Sequence, residues 1–261
     1  MTAAGQQGFE IGSGQDAVLL VHGLGSTPAE MRPVAERLAS SGLRAVALLL
    51  PGHGTSPEDL ERTSWTEWYA AVEHAVSTLG VSSRRVFGVG LSTGGALLLR
   101  FAALHPHGLA ALATLSTPFR LDGLARLYSF AHGTRLDRAI RFWPKPLRDI
   151  RDREARRSYP CYSRLPLRSV GELRALLDDL RPRLGAVRTP LLVVHSRRDH
   201  TVSSRNAERL LAAVSSPVRE KLLLTRSFHV VSVDVERDVV ADAVSRFFEP
   251  WREPRGATLP R

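Results

Sequence analysis

The sequence predicts an α/β fold: a doubly wound, mainly parallel sheet with a small helical cap inserted between core strands. Three observations carry this. Short unbroken apolar runs alternate with longer stretches of helical periodicity, as expected for strands buried on both faces by helices. Residues 117–184 break that alternation. The 261-residue chain is 43% hydrophobic and 24% charged, a composition that supports a sizeable core and excludes wholesale disorder. The expected division is a core from 1–116 and 185–261, with the cap at 117–184.

The first strong strand signal is Ala17–Val21, followed by a glycine-bracketed turn, His22-Gly23-Leu24-Gly25-Ser26. Thr27 stands where an N-cap would, with Pro28 at the first helical position, and the helix should run toward Ser41 and stop at Gly42. Ala45–Leu50 is the next strand and ends in Pro51-Gly52-His53-Gly54. Thr63 and Ser64 open a helix to Leu79 with Trp65, Trp68, Tyr69, Val72, Ala75 and Val76 on one stripe, and Gly80 is its expected stop. Arg85–Val89 precedes a helix that starts at Ser92 and carries Ala96, Leu97, Leu99 and Phe101; Ala110–Leu115 follows.

Between Thr117 and Leu184 no strand is expected. The segment is rich in arginine and punctuated by Pro144, Pro146, Pro160 and Pro166, with Leu121, Leu124, Leu127 and Tyr128, and later Leu173, Leu176, Leu177 and Leu180, at helical spacing. Strands at Leu191–Val194 and Lys221–Leu224 and helices at Asn206–Ala213 and Asp234–Phe248 complete the core, with Asp234 as cap of the last helix. The tail from Glu249 to Arg261 reads as loosely attached.

Apolar runs fall well short of the ~18 residues that span a bilayer. Met1–Glu10 has neither a basic residue nor an apolar run, so no secretory signal is visible and the cytoplasm is the expected compartment. Cys161 is the only cysteine, which excludes an internal disulfide. Net charge is +10, from 36 basic and 26 acidic residues; only Lys145 and Lys221 are lysine. Between Phe119 and Arg188 there are 17 basic and 8 acidic residues, so nearly all the excess lies in the expected cap. A solvated helical face accounts for it; a rim attracting anionic substrates is the sharper alternative. No nucleic-acid motif accompanies the charge.

The strongest chemical signal is Gly90-Leu91-Ser92-Thr93-Gly94, with Gly95 following. A serine on a tight strand-to-helix turn needs small residues two positions either side, and the turn lifts its hydroxyl clear of the sheet at a helix N-terminus. A serine hydroxyl is a weak nucleophile and requires a base. In this arrangement the chain order is serine, acid, histidine. Asp199 follows the Leu191 strand and His229 follows the Lys221 strand, so both fall at the carboxyl edge of the sheet beside Ser92. His22 and His53 read as structural, His195 as packed at a strand end, His200 as a surface residue. The backbone amides of Leu24 and Thr93 are the candidate oxyanion hole.

Together, His22-Gly23, Pro51-Gly52-His53-Gly54, Gly90 to Gly95, Arg197-Arg198-Asp199 and Phe228-His229 resemble the α/β-hydrolase superfamily, and within it the small bacterial carboxylesterases and monoacylglycerol lipases. The resemblance spans about Gln15 to Phe248. It implies Ser92 as nucleophile, Asp199 as acid and His229 as base, and a small cap where the insertion lies. Related sequences often carry glycine where Phe228 stands, and the basic cap is not part of the family pattern.

The expected activity is serine-dependent hydrolysis of short- to medium-chain acyl esters or monoacylglycerols through an acyl-enzyme. The alternative is an acyl thioesterase or acyltransferase using the same triad. A non-catalytic binding protein is disfavoured by the three intact residues. An apolar acyl pocket is expected from Leu121, Leu124, Leu127, Tyr128, Phe130, Ile140, Phe142, Trp143 and Phe228. No metal or organic cofactor is called for. The partner is a small-molecule ester, with no nucleic acid, no stable membrane insertion, and a monomer or homodimer as the assembly.

Overall fold

The structure is a computed structural model that describes residues 7–123, 141–144 and 149–252. Its strands are β1 (Phe9–Ile11), β2 (Asp16–Val21), β3 (Arg44–Leu48), β4 (Arg85–Leu91), β5 (Leu112–Leu115), β6 (Phe142–Pro144), β7 (Arg164–Pro166), β8 (Leu191–Ser196) and β9 (Arg219–Leu224). Its helices are α1 (Arg32–Ser40), α2 (Pro57–Glu61), α3 (Trp65–Ser82), α4 (Thr93–Leu104), α5 (Arg153–Ser158), α6 (Leu167–Leu180), α7 (Arg205–Ala213) and α8 (Arg237–Phe248). Seven strands form one sheet in the order β1-β3-β2-β4-β5-β8-β9. All neighbours are parallel except the edge strand β1, which runs antiparallel on β3.

The unbroken apolar runs follow from two covered faces. On β2, Ala17, Leu19 and Val21 face one cluster with Trp68, Leu97 and Leu176, while Val18 and Leu20 face another with Val34, Leu38 and Phe248. Helices α3, α4 and α6 therefore cover one side, and α1 and α8 the other. Ser64 caps α3 in a capping box with Glu67.

Several expectations are corrected. β1 is only three residues long and half-buried, too short to show as an apolar run. Residues 117–184, where no strand was expected, contain β6 and β7, an antiparallel pair with Phe142 opposite Pro166. Thr27 makes no side-chain cap; its hydroxyl donates to the Pro160 carbonyl at 3.4 Å, and Pro28–Met31 forms a 3-10 turn ahead of α1. Gly80 does not end α3, which continues to Ser82. Helix α8 starts at Arg237 with Glu236, not Asp234, at its N-cap position. The first part of the tail, up to Arg252, is docked, with Arg252 Nη1 donating to the Ser41 carbonyl at 2.8 Å; 253–261 lie outside the described residues.

The insertion's Leu173, Leu176, Leu177 and Leu180 stripe is buried against the core, on α6. Arg100 of α4 pairs with Asp179 of α6 at 2.8 Å and lies over the Tyr69 ring at 3.9 Å. The β6–β7 pair is tied to α2 by Arg141 on Glu61 (2.6 Å) and Arg164 on Glu58 (2.5 Å).

Candidate active site

β4 ends in the turn that carries Ser92. That residue has φ 51° and ψ −112°, a region costing a non-glycine residue roughly 1–3 kcal/mol. Its N–H donates to the Leu115 carbonyl at 2.8 Å. The flanking glycines explain how the turn closes. A Cβ on Gly94 would lie 2.2 Å from the Val21 carbonyl oxygen, and one on Gly90 2.4 Å from the Gly94 carbonyl carbon. Helix α4 begins at Thr93, so its first amides lack intrahelical partners beside the Ser92 side chain.

The turn after β2 is held by two side chains. The Leu50 N–H donates to His22 Nε2 at 3.1 Å, which places the ring proton on Nδ1, 2.9 Å from the Gly23 carbonyl it donates to. Burial, with His53 close by, holds the His22 pKa well below the usual histidine value. Both Glu30 oxygens face the same turn: Oε1 accepts the Gly23 N–H and Oε2 the Ser26 hydroxyl. Glu30 is 2% exposed; sequence reasoning missed it, because only folding brings it back onto Gly23.

At the opposite side, His229 Nδ1 lies 2.8 Å from Asp199 Oδ2. Asp199 Oδ1 accepts the N–H groups of Thr201 (2.9 Å) and Val202 (2.7 Å). Burial pushes this carboxyl up, but His229 and His195 beside it more than offset burial and hold its pKa far below the ordinary carboxylate range. His195 is fully buried at the end of β8, with Nε2 2.9 Å from the Val202 carbonyl and 3.2 Å from Asp199 Oδ2. Its approach to Asp199 had no signal beyond its position four residues earlier. His200 is bound at Nδ1 to Asp149 (2.8 Å).

Ser92 and His229 line one cavity of about 140 Å³, walled by Leu24, Leu121, Ile150, Leu165 and Leu173 and mainly apolar. Leu121 is thus where the pocket was expected. Phe142 is not among the lining residues: Arg164 lies over its ring at 4.2 Å and Arg141 at 5.0 Å. Nor is Phe228, whose ring meets His200 edge-on at 4.5 Å. Leu124, Leu127, Tyr128, Phe130 and Ile140 lie outside the described residues, as does the side chain of Trp143. Among the described residues, no group of three or more histidine, cysteine or acidic side chains is placed to hold a metal, and no helix is long and apolar enough to cross a membrane.

A family profile described as "Serine aminopeptidase, S33" matches residues 12–236. The chain belongs to that family, within the α/β-hydrolase superfamily. This α/β-hydrolase is 30% identical over 245 residues to the "Thermostable monoacylglycerol lipase" of Bacillus sp. (strain H-257), covering 94% of this chain and 95% of the relative. It is 25% identical over 246 residues to the "Carboxylesterase" of Bacillus subtilis (strain 168), covering 92% and 95%. Among solved structures, one described with LipS and LipT, two metagenome-derived lipolytic enzymes, superposes with a TM-score of 0.87 at 25% identity, covering 94% and 98%. The monoacylglycerol lipase of Paleococcus ferrophilus shares the fold, with a TM-score of 0.79 at 16% identity, covering 94% and 98%. The α/β-hydrolase is therefore a serine-hydrolase-type enzyme related to bacterial carboxylesterases and monoacylglycerol lipases.

Proposed function

We propose that the protein hydrolyses short- to medium-chain carboxylic esters or monoacylglycerols through an acyl-enzyme on Ser92. The observation that carries this reading is the convergence of a strained serine and a carboxylate-bound histidine on one apolar cavity. An ionised carboxylate only accepts hydrogen bonds, so Nδ1 of His229 carries the proton toward Asp199 and Nε2 of the neutral ring is left to act as base.

In this mechanism His229 takes the Ser92 proton as Oγ attacks the ester carbonyl. The amides of Leu24 and Thr93 donate hydrogen bonds to the developing oxyanion, a role in which one donor is worth ~100- to 1000-fold in rate. Asp199 stabilises the imidazolium, which then protonates the departing alcohol. Water, activated by the same imidazole, releases the acid and restores Ser92. The cap is the 117–184 insertion, and its Leu121, Leu165 and Leu173 give the acyl chain an apolar wall.

The test compares wild type with Ser92→Ala on a p-nitrophenyl ester series, a monoacylglycerol and an acyl-CoA. Loss of ester turnover by ~10³-fold or more is expected, with an unchanged circular dichroism spectrum. Retained turnover in the variant overturns the reading, and preference for the acyl-CoA moves the substrate class to thioesters.

A further inference from the structure

Midway through the insertion, residues 149–152 return to the core, and this short strap touches both loops that bear Asp199 and His229. Asp149 Oδ2 accepts the His200 N–H and the Thr201 hydroxyl, each at 3.0 Å, immediately beyond Asp199. The Asp149 carbonyl accepts the N–H of Val230 at 3.2 Å, immediately beyond His229. Ile150 is buried in a small apolar cluster with Tyr159 and Val233. The N–H groups of Arg151 (2.9 Å) and Asp152 (2.8 Å) donate to the carboxylate of Asp234. That same carboxylate accepts the N–H of Phe228 at 2.7 Å and of Val235 at 2.8 Å. Asp234 is wholly buried, and a buried carboxylate is tolerated only when its lone pairs are filled in this way. Its partners come from the strap, from the residue before His229 and from its own loop.

We propose that Asp234 and Asp149 are positioning residues. Through the strap they hold the Asp199 and His229 loops in register, so that the seating of the insertion and the His229–Asp199 hydrogen bond are set together. This rests on the reading of Ser92, Asp199 and His229 as the reacting machinery. An asparagine at 234 keeps the shape but offers one oxygen and one NH2. Either Phe228 or the strap then faces a donor, and one of the two loops shifts. Displacements of about 1 Å cost up to ~100-fold in rate.

The test uses the full chain carrying Asp234→Asn or Asp149→Asn. A fluorophosphonate counts competent Ser92 sites, p-nitrophenyl butyrate gives kcat per counted site, and proton NMR reads the far-downfield resonance of the His229 Nδ1–H. The expected result is a 10- to 100-fold fall in kcat per site with an upfield shift or loss of that resonance. A purely structural carboxylate would reduce the number of sites while leaving each as fast as wild type, with its resonance unmoved; that result overturns the proposal. If Asp234→Asn does not fold, Asp149→Asn alone decides by the same criteria. Ser92→Ala run alongside separates the two claims. Turnover persisting there overturns the proposed function, whereas unchanged strap variants beside an inactive Ser92→Ala overturn only the strap.

Discussion

Ser92 occupies a backbone conformation that L-residues avoid, and the missing side chains that let its turn close were visible in the sequence as Gly90 and Gly94. Asp199 and His229 were equally legible, because each follows an apolar strand run and strand ends share one edge of a parallel sheet. Glu30, His195 and Asp234 were not. Glu30 and Asp234 are held largely by backbone amides, which leave no mark in the sequence, and His195 meets a carboxylate already assigned to another histidine. His22 yields a residue-scale prediction. Its native pKa is depressed, so below the unfolded value of about 6.5 the unfolded chain binds a proton that the native state refuses. Its contribution to stability is therefore flat above that pH and declines below it, by ~1.4 kcal/mol per pH unit. Urea denaturation of wild type and His22→Gln between pH 7.5 and 5 should show the difference between them changing with pH; a constant difference would refute the neutral buried ring. Asp199 has the same sign in a lower window: its carboxylate stabilises the fold above about pH 3.9, and that stabilisation is lost as pH falls beneath it.

Helix α3 shows where element boundaries were and were not readable. The Ser64–Glu67 capping box is a local pattern, and the start was found. Gly80 is the stop that composition suggests, yet a glycine caps a helix by turning the chain left-handed. Gly80 does not have a positive φ, and the helix continues to Ser82. A Cβ at that position meets nothing within 4 Å. Gly80→Ala should therefore stabilise the protein by about 0.5–1 kcal/mol, seen as a higher denaturant midpoint at unchanged slope; a lower midpoint would contradict the helical assignment. β1, β6 and β7 were missed for a different reason. Each is three residues long and is specified by pairing with a neighbour, which a run of apolar letters does not record.

Over the whole molecule, the sequence located the basic excess but not its use. Within the described part of the insertion, Arg141 and Arg164 reach the acids of α2, and Arg174 and Arg181 share Asp178. Arg141 and Arg164 thus tie the insertion to α2, whereas Arg174 and Arg181 pair with an acid of α6 itself. Exposed pairs of this kind are worth little, so an Arg141→Gln and Glu61→Gln double-mutant cycle should give a coupling of ~1 kcal/mol or less that shrinks with added salt. A coupling of several kcal/mol, indifferent to salt, would mean the pair is shielded from water.

Helix α4 lies between the sheet and α6, with α3 packed beside it on the same face, and almost every residue from Thr93 to Ala103 is buried. During synthesis, the bend bearing the hydroxyl therefore leaves the ribosome long before the helix that will roof it. The carboxylate and imidazole come later still, from the C-terminal quarter of the chain. On the proposed mechanism, a nascent polypeptide halted midway carries the attacking group without its activators, so the half-made chain is chemically inert toward esters.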